Sequence, residues 1–151
     1  MSQPIIDTEA LSDRFIGALE TMCLVIADPI DPMSAAEVER HASIILGEGE
    51  HALNLHISAS NGLLLEVATG LMGVGPEEIE GDEILLETLK ELANVFGGEV
   101  IDLLGGEEFP FRPGIPVPED NASDVEGATC VALDAIGETL VVSLSKLSAT
   151  A

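Results

Sequence analysis

Glu91-Leu92-Ala93-Asn94 lies inside an amphipathic stretch, and its first and last residues carry the side chains of this chain best suited to chemistry. Residues three apart on an α-helix lie about 60° from each other around its axis, so the carboxylate and the carboxamide share one face. Leu85, Leu89, Leu92, Phe96, Val100 and Leu103 recur at helical spacing on the opposite side, which predicts that Glu91 and Asn94 point away from the core. Asparagine is a mediocre helix former, and packing does not demand it on an exposed face. An acid and an amide held outward on a rigid helix could be inserted into another protein's active site. The same stripe holds Glu87, Glu91, Asn94 and Gly98, and an ordinary polar face is the plainer reading of that spacing. Against it stands Gly97-Gly98, because glycine inside a helix costs about 1 kcal/mol relative to alanine. Two together imply that another backbone or a partner comes close.

Other chemistries find little support. His51 and His56 are odd-spaced, so on a regular strand they face opposite sides, and with His41 they read as surface residues of a first hairpin. No Cys or His pair has structural-zinc spacing, and no metal ligands are assigned. Neither a Gly-x-Gly-x-x-Gly nor a Gly-Lys-Ser/Thr loop exists, which disfavours nucleotide binding. Gly-x-Ser-x-Gly is absent, and no carboxylate pair is singled out for glycoside chemistry.

Composition narrows the partners. Against 28 acidic residues there are five basic ones, a formal charge of −23. Such a surface repels nucleic-acid phosphates and anionic lipid, so neither nucleic acid nor membrane is an expected partner. A salt-rich habitat is one cause of such acidity. Tyrosine and tryptophan are absent, which predicts an aliphatic core. Cys23 and Cys130 sit in apolar stretches and read as two buried thiols in a reducing compartment. The N-terminus shows no basic region followed by a continuous apolar run, and no apolar run approaches the roughly 20 residues needed to span a bilayer. The chain reads as cytoplasmic and as one domain, 1–151, with frayed tails at 1–7 and 146–151.

The elements that must position the site follow from periodicity. Residues 8–27 read as a helix capped by Asp7 or Thr8 and ended by Pro29 and Pro32. Residues 37–46 and 51–58 alternate and form a hairpin, with Leu53, Leu55 and Ile57 facing in and Asn54 and His56 facing out. Asn61-Gly62 opens a short helix whose buried side is Leu64, Val67, Ala68 and Leu71, and Gly73, Gly75 and Pro76 break the chain. Asp82 reads as the cap of a long helix over 83–104, ended by Gly105-Gly106. A proline-rich, extended connector over 107–124 leads to a second hairpin, Ala128–Leu133 and Thr139–Leu144. The expected fold is α+β: a mostly antiparallel sheet packed against long helices.

At the Glu-x-x-Asn helix the chain resembles the chemotaxis phosphatases CheC, CheX and FliY. Their signature is this motif on a long helix, followed one connector later by a proline, here Pro116. Upstream, Leu65-Glu66-Val67-Ala68-Thr69-Gly70-Leu71-Met72-Gly73 is similar to the short helix these proteins carry. With a single such helix the chain is nearer to CheX than to the two-site CheC. It departs from the family in Glu87, where Asp or Ser is common, and in keeping only a glycine after the asparagine. The resemblance implies an aspartyl-phosphate phosphatase acting on a CheY-like response regulator. Asn94 would orient the attacking water and Glu91 would pair with the receiver's lysine, both as catalytic residues. Glu87, Lys90, Gly98 and Pro116 would meet the partner. The chain would need no cofactor of its own, and Mg2+ is expected in the receiver domain. A homodimer through an exposed edge strand is a further expectation. The alternative reading is a non-catalytic adaptor on the same fold, in signalling or the flagellar motor.

Overall fold

Two apolar periodicities meet in this molecule: alternation along the strands and three- or four-residue recurrence along the helices, packed face to face. The structure, a computed structural model, describes residues 6–32, 38–47, 52–105, 114–120 and 129–146.

Helix α1 (Thr8–Cys23) begins where the Asp7 carboxylate accepts the Ala10 N–H at 3.3 Å. It buries Leu11, Phe15, Leu19 and Cys23. It stops at Cys23 rather than at residue 27 because Leu24 turns into the left-handed region at φ 60°, where the Val25 N–H reaches back to the Leu19 carbonyl. Strand β1 (Asp28–Ile30) follows. Strands β2 (Arg40–Leu46) and β3 (Leu53–Ala59) form the first hairpin, with Ile44 opposite Leu55. Helix α2 (Asn61–Met72) is capped by the Ser60 hydroxyl, which accepts the Leu63 N–H, and closes on Gly73 at φ 69°.

Helix α3 (Asp82–Leu103) carries the Glu-x-x-Asn motif. Its N-cap is Gly81, at φ 88°, and not Asp82. Asp82 is the first helical residue, and its carboxylate is held by Arg40 instead. After α3 come the short β4 (Val117–Glu119) and then β5 (Thr129–Ala135) and β6 (Glu138–Lys146), joined by Ile136-Gly137. Most of the expected extended connector lies outside the described residues. So does most of the two tails, of which Ile6 is buried, Asp7 caps α1 and Lys146 ends β6.

The strands of the described residues form one six-stranded sheet in the order β1-β5-β6-β3-β2-β4, antiparallel at every step. The two hairpins join at its centre, Ala59 opposite Leu140 and Leu55 opposite Leu144. Both edge strands are three residues long with proline in the middle, Pro29 and Pro118. One face carries the core residues Ile44, Leu55, Ile57, Leu133 and Val142 beneath the helices. The fold is therefore α+β as expected.

Two exposures differ from expectation. His56 does lie on the sheet face away from the core, but it is only 6% exposed, among Ser43, Ser58 and Ser143. A central strand has neighbours on both sides, so an outward residue need not be a surface residue. Leu71, expected on the buried side of α2, is 38% exposed, because it lies in the last turn before Gly73. Of the cysteines, Cys23 is buried and Cys130 half-buried; both are free thiols, and burial pushes both up.

Candidate functional site

The position of α3 decides where Glu91 and Asn94 point. Leu89, Leu92, Ala93, Phe96 and Val100 are buried along its inner side, and Phe96 stacks on Phe15 of α1. That packing turns the opposite stripe outward. Glu87, Glu91, Asn94 and Gly98 are all exposed, as the periodicity predicts.

Cations fix the two ends of the helix. Arg40 of β2 donates from Nε to Asn61 Oδ1 at 2.8 Å and pairs through Nη2 with Asp82 at 2.7 Å, so one guanidinium ties the starts of α2 and α3 to the sheet. Arg14 of α1 holds Glu99 at 3.2 Å and Asp102 near the other end. Lys90 pairs with Glu87 one turn back, at 3.1 Å. Among the described residues, three of the four basic side chains thus serve carboxylates of α3. Sequence reasoning missed Arg14 and Arg40; the available signal was that so few cations among so many acids must be paired.

The two glycines do different work. A Cβ on Gly97 would lie 2.9 Å from Leu46 Cδ2, so its absence lets α3 settle against β2. A Cβ on Gly98 would meet nothing within 4 Å. Gly98 leaves bare helix backbone one turn beyond Asn94, on the same exposed stripe. Neither Glu91 nor Asn94 makes a side-chain hydrogen bond or ion pair among the described residues. A carboxamide with an unengaged donor and acceptor can hold a water molecule from both sides.

Pro116 is half-buried and immediately precedes β4, which is in contact with α3. The structure therefore brings Glu87, Lys90, Glu91, Asn94 and Gly98 onto one helix, with Pro116 in the segment that leads into β4. His41 and His56 do not join this site, and His51 lies outside the described residues. The His41 and His56 rings lie 5.9 Å apart on the far face of the sheet, where His41 Nδ1 and Ser58 Oγ are 2.7 Å apart. No group of three or more His, Cys, Asp or Glu that could hold a metal ion occurs among the described residues. No helix among them is long and apolar enough to cross a membrane.

A six-stranded antiparallel sheet covered on one face by helices, the longest of which displays an acid and an amide, has the fold of the CheX-like chemotaxis proteins. CheX from Vibrio vulnificus superposes with a TM-score of 0.71 at 17% identity, over 91% of this chain and 93% of that one. CheX from Desulfovibrio desulfuricans gives 0.69 at 13% identity, over 92% and 97%. CheX from Borrelia burgdorferi, solved in complex with CheY, BeF3 and Mg2+, gives 0.60 at 18% identity, over 93% and 97%. At these identities the likeness is one of fold. Neither a family model nor a curated protein matches the sequence.

Proposed function

We propose that this chain is a CheX-like phosphatase that hydrolyses the aspartyl phosphate of a CheY-like receiver domain in the cytoplasm. The observation that carries the reading is the exposure of Glu91 and Asn94 on one face of α3, both unengaged among the described residues, within a CheX-like fold. The Borrelia protein of similar fold, solved with CheY, BeF3 and Mg2+, supports the choice of partner.

The chemistry asked of the chain is small. Phosphoryl transfer depends on positioning and on stabilising charge. Asn94, inserted beside the acyl phosphate, donates to and accepts from the attacking water and so holds it in line with the leaving carboxylate oxygen, without acting as an ionised base. Glu91 pairs with the receiver's lysine and registers the helix. Charge on the transferring group is met by the receiver's own Mg2+ and lysine, so this chain needs no cofactor. Gly98 leaves the receiver's backbone room to approach.

The test is phosphate release from a phosphorylated receiver domain of the source organism. Wild-type chain accelerates it, and Asn94→Ala lowers the acceleration at least about tenfold, the scale expected for a lost positioning contact. An unchanged rate refutes the role of Asn94. Tight binding without any acceleration would leave the adaptor reading, which the charge of −23 and the carboxylate at Glu87 favour.

A further inference from the structure

The solvent stripe of α3 does not begin at Glu91. Towards the helix start it forms one wall of a shallow groove of about 340 Å3, whose other wall is the end of α2. Leu71 and Met72 are 38% and 55% exposed there, and Ile84 of α3 lies across from them. Three carboxylates line it: Glu83, Glu87 and Glu91. Of these, Glu87 is shared with Lys90.

This arrangement has a local cause. Gly73, in the left-handed conformation, ends α2 directly after Met72, so the last apolar turn overhangs the core rather than packing into it. Residues 84, 87 and 91 follow one another at helical spacing down α3, and 94 and 98 continue the same line. The groove thus runs without a break into the Glu91–Asn94 face, and Glu91 belongs to both.

From this geometry we infer that the groove is a docking site for the receiver domain, and that it takes an apolar side chain of the receiver flanked by a lysine or arginine. The inference rests on the function proposed above. Two features choose the occupant. Exposed leucine and methionine give an apolar floor, and methionine adapts to whatever is laid on it. The acidic rim selects against another acidic surface and for a cation beside the apolar group. The floor holds the receiver while the cation meets Glu83 or Glu87, and the contact aims Asn94 at the phosphoryl group.

The experiment is calorimetric titration of the full chain with each receiver domain of the source organism, loaded with beryllofluoride and Mg2+. For a receiver that binds, Met72→Asp raises Kd about tenfold or more, the scale of a lost central apolar contact. Ile136→Asn, at the β5–β6 turn, does not change it. Glu83→Gln flattens the rise of Kd with added NaCl, because one screened charge pair is gone. Met72→Asp is checked for folding by its thermal melt; Met72→Ser serves if it melts early. Met72→Asp binding as tightly as wild type overturns the groove, even where Asn94→Ala abolishes acceleration and the proposed function stands. Binding that Met72→Asp weakens, without any acceleration of dephosphorylation, keeps the groove and overturns the catalytic reading. If no receiver domain binds, both fall.

Discussion

The rings of Phe15 and Phe96 stack with centroids 4.2 Å apart and 17° between their planes, joining α1 to α3 at the centre of the helical layer. Both are fully buried. Phe96 stands two residues after Asn94, which on a helix sends the two side chains to nearly opposite sides. The stacked pair therefore orients the candidate site. Phe96→Ala should destabilise the fold by about 3–5 kcal/mol through lost contacts and the cavity left behind. Urea titration measures this, and the midpoint should fall well below that of Asn94→Ala.

Two helical glycines, Gly98 of α3 and Gly70 of α2, predict opposite outcomes. Gly98→Ala gains about 1 kcal/mol of helix propensity with nothing to collide with, and should raise Tm by roughly 2–4 °C. The larger Gly98→Leu should weaken receiver binding by filling the space beside Asn94. Gly70 behaves otherwise: its Cβ would run into the Cys23 carbonyl, which α1 cannot move without shifting backbone. Gly70→Ala should cost about 1–3 kcal/mol despite its better propensity. Thermal melts of the two alanine variants should move in opposite directions.

At the tip of the second hairpin Ile136 and Gly137 both have positive φ, 50° and 80°. A two-residue turn with both residues left-handed favours Asn-Gly, and a β-branched residue is strained at its first position. Ile136 is also 67% exposed, so its side chain contributes little burial. Ile136→Asn should stabilise the chain by about 1 kcal/mol, read as a rise in Tm.

Burial lowers the His56 ring below its ordinary value; the Glu119 carboxylate opposes this and His41 adds to it. Burial also lowers His41. Above about pH 6.5 the His56 ring is neutral folded or unfolded and contributes no pH dependence. As pH falls through that value the unfolded chain binds a proton that the folded ring resists, so stability is lost on acidification. Relief of repulsion among the carboxylates acts in the other direction, so His56→Gln is the control. The Tm of wild type relative to that variant should fall between pH 7 and pH 5.

Much of α3 could be read in advance because its length lets the 3.6-residue period declare itself. Leu85 to Leu103 fix one face, and the exposure of Glu91, Asn94 and Gly98 follows from arithmetic. Strands β1 and β4 could not be read: three residues are too few to show alternation, and Pro29 and Pro118 argue for loops. His56 was misjudged because alternation tells which side of a sheet a residue takes, not how crowded that side is. Leu24 hid the end of α1, since leucine is a poor herald of a left-handed turn. Arg14 and Arg40 escaped because their carboxylates are distant in sequence, and only the folded chain makes them clamps.

The two sheet margins, each a three-residue strand centred on proline, have a consequence for crowding. A proline placed there lacks the amide that a further strand would need, and such margins are a known defence against open-ended polymerisation. Among the described residues these rims therefore offer little purchase for fibre growth, and a second copy that pairs along either one forgoes a ladder bond at its proline.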